Sequence, residues 1–334
     1  MPSKMESQNK SAGLIPRHGT DWLKGLAILM IIASHYFDSW SQAVSLEGNA
    51  KLFCQGMMKL GDYGAALFLM LSGYGLVKSR KLGRVTFRFM GRRLQNVYLP
   101  YLIIMGLIDL YNGAFTDLAS VGRFLTASSH WFLTVLFILY IAFMILWAVP
   151  LPKWLRVITI TLFTFAFSSC LYLDGRQDFW FCSNFAFPLG VLIAEYEKET
   201  KWICQKAGSV LLPISALMMI PVIISGLGLN GAPISAIKSV QDLLQFTGAQ
   251  LNFCLLIIFF TSKWPLFDPV IRFVGKISYY LYLTHTFIFV KVVNALECNI
   301  GVRFIIAALV TLAVTIICRL VFDFINRKMC LICK

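Results

Sequence analysis

Three of the four histidines, His35, His130 and His285, stand at or within long apolar runs, where a titratable ring is out of place. The first run, LKGLAILMIIASHYFDSW (23–40), also carries Lys24, eleven residues before His35. At about 100° per residue, eleven steps fall within about 20° of three full helical turns, so the two side chains share a face, about 16 Å apart along the axis. Asp21 and Asp38 lie near the same face, three residues from Lys24 and His35 respectively. A neutral imidazole is the side chain best suited to take up and release a proton near pH 7. A carboxylate one turn away can hold the ring in one tautomer, and Asp38 is placed to do so. Ionisable groups are costly in lipid, and where they persist they usually serve function. A purely structural account is also open: Lys24 reaching back to the interface along its stem, and His35 hydrogen-bonding a neighbouring helix.

Further candidates lie along the chain. Arg88, Arg92 and Arg93 precede an apolar run in FRFMGRRLQNVYLPY (87–101). Arginine grips phosphate through two parallel hydrogen bonds, so such a cluster suits a phosphorylated cosubstrate, although a membrane anchor needs the same residues. LFLMLSGYGL (67–76) places Tyr74 among small residues that suit close helix packing. SHWFLTVLFILY (129–140) brings in His130, and SYYLYLTHTFIF (278–289) brings in His285. Tyr74 could face a cavity, and three histidines at or within spans suggest proton handling. The nine cysteines are scattered, and CLIC (330–333) has neither a second pair nor a nearby histidine, so neither a disulfide framework nor a metal site is expected.

The elements that must hold these residues are membrane helices. Hydrophobic residues make up 58% of the 334 and charged residues 14%, and the mean hydropathy is +0.73. A soluble domain carries about a quarter charged residues. The apolar runs are near the length that crosses a bilayer and lack the alternation of a barrel strand. The sequence therefore predicts an all-α, polytopic membrane bundle of about ten spans, at 21–40, 62–79, 96–112, 129–149, 157–173, 184–199, 207–225, 244–262, 277–297 and 302–325. A membrane domain over 21–325 is flanked by tails at 1–20 and 326–334. All eight tryptophans fall near predicted span ends, as an aromatic belt requires.

The net charge of +14 does not indicate nucleic acid, because the basic residues cluster in short loops. The loop 78–93 holds Lys78, Arg80, Lys81, Arg84, Arg88, Arg92 and Arg93 and is expected in the cytoplasm, together with both termini. Only Lys51, Lys59, Arg123, Arg176, Lys238, Lys291 and Arg303 then lie on the other side. The first span is too long for a cleaved signal.

In this order the motifs resemble the acyltransferase-3 family of integral-membrane acyltransferases that modify surface sugars. The likeness runs from about residue 20 to 325. It rests on Asp21, Lys24 and Gly25 with His35 eleven positions on, then LMLSGY, the basic loop running into PY, WFL, and SYYLYLTH. Lys24 stands where the family more often has arginine, and Asn96 takes the second arginine position of the loop motif, so Arg88 or Arg92 would supply that charge. The resemblance is to the stand-alone form, without a fused esterase-like domain. It implies transfer of an acyl group, acetyl first among them, from acetyl-CoA to a hydroxyl of a cell-surface or lipid-linked glycan, by a multi-pass protein of the plasma or inner membrane with no metal. The cosubstrate would meet Lys24, Arg88, Arg92 and Arg93 on the cytoplasmic side; farther in, His35 would take the proton of the acceptor hydroxyl or itself carry the acyl group, with Tyr74, His130 and His285 as candidates for the donor that stabilises the oxyanion. A proton-coupled small-solute transporter is the alternative, because buried His and Lys also mark proton paths; the two related halves expected of many transporters are not visible in the sequence.

Overall fold

The computed structural model describes residues 13–43, 47–79, 91, 94–226, 240–264, 268–296 and 299–332, and among these it contains helices and no strand. The elements, in order, are α1 (Arg17–Ala43), α2 (Gly48–Met58), α3 (Leu60–Ser79), a π-helical turn (Leu94–Tyr98) leading into α4 (Leu99–Tyr111), α5 (Leu118–Leu125), α6 (Trp131–Ala148), α7 (Lys153–Leu173), α8 (Ala186–Glu195), α9 (Glu197–Gly226), α10 (Val240–Lys263), α11 (Pro269–Ala295) and α12 (Ile300–Ile332).

Each of the ten expected spans corresponds to one of these helices. Six stretches are long and apolar enough to cross a membrane on length and composition alone: Gly48–Ser79, Trp131–Ala148, Lys153–Leu173, Glu197–Ile224, Leu243–Lys263 and Gly301–Lys328. The others, α1, α4, α8 and α11, are short or carry the polar residues of interest. The sequence missed α2 and α5. It also placed 197–199 in the sixth span, whereas they open α9. Helix α1 starts at Arg17, inside the expected tail, and α12 runs on to Ile332. Helix starts follow local chemistry. Asp117 caps α5 in a reciprocal pair with Ser120, and Asp268 caps α11 ahead of Pro269.

Without a hydrophobic drive between helices in lipid, close packing at small residues has to hold the bundle. Helix α1 is the centre, with α3 on one side and α11 on another. A methyl group on Gly275 would run into the Asp21 carbonyl, and one on Gly25 into the Ile271 carbonyl, so α1 and α11 touch backbone to backbone. Gly73 and Gly190 do the same between α3 and α8, against the carbonyls of Phe187 and Met70. Large apolar side chains of α7, α9 and α12, among them Leu162, Phe165, Leu217, Leu309 and Phe324, remain exposed, as a lipid-facing belt requires.

Contacts along the helices fix their relative directions. Asp21 lies beside Gly275 and His35 beside His285, so α1 and α11 run parallel. Ser34 meets Met58 and Gly61, while Ile15 meets Tyr74, so α1 and α3 are antiparallel. Thr284–Thr315 and Tyr280–Phe322 make α11 and α12 antiparallel, and Asn252–Ser215 with Lys263–Ser209 does so for α9 and α10. As a result Arg17, Lys24, Lys78, Lys153, Lys263 and Arg272 gather at one end of the bundle. Lys51, Lys59, Arg123, Lys291 and Arg303 sit at the other.

Candidate active site

The seam between α1 and α11 carries the residues of interest. Lys24 and His35 belong to one unbroken helix, three turns apart, as their spacing requires. Lys24 is half-buried at the basic end, beside the Gly25–Gly275 crossing. Between the two levels, on the same face, Ile28 and Ile31 pack against Ile277 and Leu281. This seam is closed and apolar. An acyl arm passing from Lys24 to His35 has to part α1 from α11 or run beside them.

Above this plug the rings of His35 and His285 meet, with centroids 5.3 Å apart and planes inclined by 43°. His285 is buried, at 4% exposure, and both its nitrogens are engaged. Nδ1 lies 2.9 Å from the Leu281 carbonyl and 3.0 Å from that of Tyr282. A carbonyl can only accept, so Nδ1 carries the proton. Nε2 then accepts from the Thr286 hydroxyl at 3.1 Å. These contacts fix the tautomer and orientation of His285. His35, by contrast, is exposed, and no hydrogen bond holds its ring among the described residues. Beside the pair, the rings of Tyr36, Phe289 and Phe304 contact one another.

The remaining candidates fall elsewhere. Asp38 interacts with His35 only through space; no hydrogen bond joins its carboxylate to the ring, and its main-chain carbonyl accepts from Ser41. His130 opens α6, with Nε2 3.6 Å from the Asp109 carboxylate and its ring edge-on to Tyr101. The ring contacts of His285 are with His35 and Tyr282, whereas that of His130 is with Tyr101. Asp109 is a partner that the sequence reading missed, although an acid within LIDLYN was the available signal.

Tyr74 does not stand with His35. Its hydroxyl donates to Glu197 at 2.5 Å and accepts from the Ile15 amide at 3.3 Å. The same carboxylate takes the Leu14 amide at 2.8 Å and the Lys78 ammonium at 2.7 Å. This cluster ties residues 13–16 to the basic end. Arg17, beside it, lies eighteen residues before His35, about 27 Å along the helix. Tyr74 is therefore too distant to stabilise charge at a carbonyl attacked beside His35.

Arg88, Arg92 and Arg93 lie outside the described residues. The turn that follows them is held by the Tyr279 hydroxyl, which donates to the Val97 carbonyl at 2.5 Å, and by Gln95 to Asn326 at 2.8 Å. Two turns before Tyr279, on the same face of α11, is Arg272, whose Nε is buried without a hydrogen-bond partner. The sequence reading did not single it out, because it sits in an ordinary-looking first turn.

A bundle of long apolar helices, with two histidine rings in contact between α1 and α11, defines a multi-pass helical membrane protein. The sequence model of the acyltransferase-3 family, described as an acyltransferase domain, matches residues 17–321, and the chain belongs to that family. It is therefore a membrane acyltransferase, which sets aside the transporter alternative. No curated protein and no solved structure matches the chain.

Proposed function

We propose that the protein transfers a short acyl group, acetyl first among them, from coenzyme A to a hydroxyl of a cell-surface or lipid-linked glycan, in the plasma or inner membrane. The observation that carries this reading is the pair His35–His285, three turns from Lys24 along one helix and toward the end opposite the gathered cations. That basic end faces the cytoplasm by the charge bias, which is where acyl-CoA is found.

His285 is locked by hydrogen bonds at both nitrogens and serves to position its neighbour. His35, unheld and exposed, is the ring free to take a proton. It acts as general base on the acceptor hydroxyl, whose oxygen attacks the thioester carbonyl and expels the CoA thiolate. Lys24 meets the anionic cosubstrate at the basic end, together with Arg88, Arg92 and Arg93. Arg272 joins them: its unpartnered Nε lies on the face of α11 that also holds the turn after those arginines.

The test compares cell-surface glycans with and without the gene, by mass spectrometry before and after mild base. Loss of a base-labile acyl ester on deletion, restored by the wild-type chain and not by His35→Ala, supports the assignment. Unchanged ester content contradicts it.

A further inference from the structure

On the far side of α1 from the histidines lies a cavity of about 680 Å3, in the range of small-ligand sites. Met30 lines it and His35 does not; the two positions are about 140° apart around the helix. The cavity is bounded by α1, α2, α3, α9 and α10. Its deep end is formed by Met30 and Leu256, near the middle of their helices, and its rim by Gln55, Lys59 and Gln245. From Gln245 to Leu256, α10 advances eleven residues, about 16 Å. Half of the ~30 Å hydrocarbon core of a bilayer is about 15 Å, so the cavity is one leaflet deep.

The wall is apolar at depth and polar toward the rim. Gln250 is 3% exposed, lines the cavity, and has an Oε1 without a hydrogen-bond partner; Oε1 of Gln55 is likewise buried and unpartnered. A buried amide left in this state is costly, so these groups call for a hydrogen-bonding ligand. Charge narrows its nature. Lys59 Nζ stands 4.0 Å from the Asp62 carboxylate and 3.8 Å from that of Asp178, and 5.2 Å from the centre of the Phe246 ring. Two carboxylates against one ammonium leave a phosphate head no unmatched positive charge at this rim.

We infer that this cavity binds a lipid with one hydrocarbon chain and an uncharged, hydroxyl-bearing head. The chain lies against Met30, Phe253 and Leu256, and two head hydroxyls donate, one to Oε1 of Gln250 and one to Oε1 of Gln55. Binding here requires neither acyl-CoA nor turnover, so it stands or falls separately from the acyl-transfer chemistry.

The probe is 1-monododecanoylglycerol, titrated into delipidated protein held in amphipol and read by native mass spectrometry and thermal unfolding. One molecule is expected per chain. Gln250→Leu, which keeps the volume and removes the amide, is expected to weaken binding about tenfold. Ala249→Trp, which fills the cavity, should abolish it. The lysophosphatidate of the same chain should bind at least tenfold more weakly than the glycerol ester. Absence of saturable binding, equal binding by Gln250→Leu, or tighter binding of the lysophosphatidate overturns the assignment. Should Ala249→Trp fail to insert, Gln250→Leu and the head-group comparison decide.

Discussion

If His285 positions His35, removing the ring and replacing it by another should have opposite outcomes. His285 is almost fully buried and its ring lies 5.3 Å from that of His35. His285→Ala empties that space, a loss of about 2–5 kcal/mol in stability by analogy with other large-to-small changes in packed interiors. It also frees His35 to shift. A displacement near 1 Å is enough to lower the chemical step about 100-fold, or about 2.7 kcal/mol. His285→Phe keeps the ring and gives up the hydrogen bonds to Leu281, Tyr282 and Thr286. Volume-conserving replacement costs under about 1.5 kcal/mol, and each lost neutral hydrogen bond about 0.5–1.5 kcal/mol. Phe should therefore insert and recover most of kcat. The assay is transfer of labelled acetyl from acetyl-CoA in purified membranes, normalised to inserted protein, with the KM for acetyl-CoA measured alongside. That KM should stay unchanged in both variants if, as proposed, the cosubstrate's phosphates bind at the other end of the bundle. An Ala variant with wild-type kcat would show that the ring positions nothing. A Phe variant as inactive as Ala would show that a nitrogen of His285 takes part in the chemistry.

Other outcomes follow from the same contacts. Arg272→Ala, and Arg92→Ala with Arg93→Ala, should raise the KM for acetyl-CoA by about 1.5–3 kcal/mol per lost contact with little change in kcat, and an unchanged KM returns these arginines to anchoring. Lys24→Arg should retain activity and Lys24→Ala should impair it; equal activity in both would remove Lys24 from cosubstrate binding. Glu197→Ala strands the Leu14 amide and the Tyr74 hydroxyl and should lower thermal stability by about 1–3 kcal/mol, and an unchanged unfolding temperature would show that the clamp on residues 13–16 contributes nothing. A reporter fused after Arg84 should read as cytoplasmic; periplasmic activity there would invert the whole orientation.

The helical bundle and the order of its helices were legible because apolar runs mark them, six of the described stretches being long and apolar enough to cross a membrane, and the shared face of Lys24 and His35 because helical geometry fixes it. The amphipathic helix α5 and the short α2 were not, since neither makes a membrane-length run. The approach of His285 to His35 is a tertiary fact that no local spacing reveals; only the glycines at 25 and 275, met backbone to backbone, make it possible. Tyr74 was misplaced for the opposite reason. Its helix and its small neighbours were read correctly, but its partner Glu197 lies far along the chain, and hydropathy cannot say at which end of the bundle a tyrosine hydroxyl is used. The apolar plug of Ile28 and Ile31 was visible as letters and was silent until α11 was seen packed against it.

The central claim is that His35 is the base, and His35→Gln tests it most directly. Glutamine keeps size and hydrogen bonding and lacks basicity, while the packing of α1 against α11 at Gly25 and Gly275 is untouched. The measurement is acyl transfer by the inserted variant in purified membranes under saturating acetyl-CoA. The account predicts wild-type abundance with transfer reduced at least 100-fold, the low end of what general-base catalysis contributes. Near wild-type transfer by a normally inserted His35→Gln protein would contradict it.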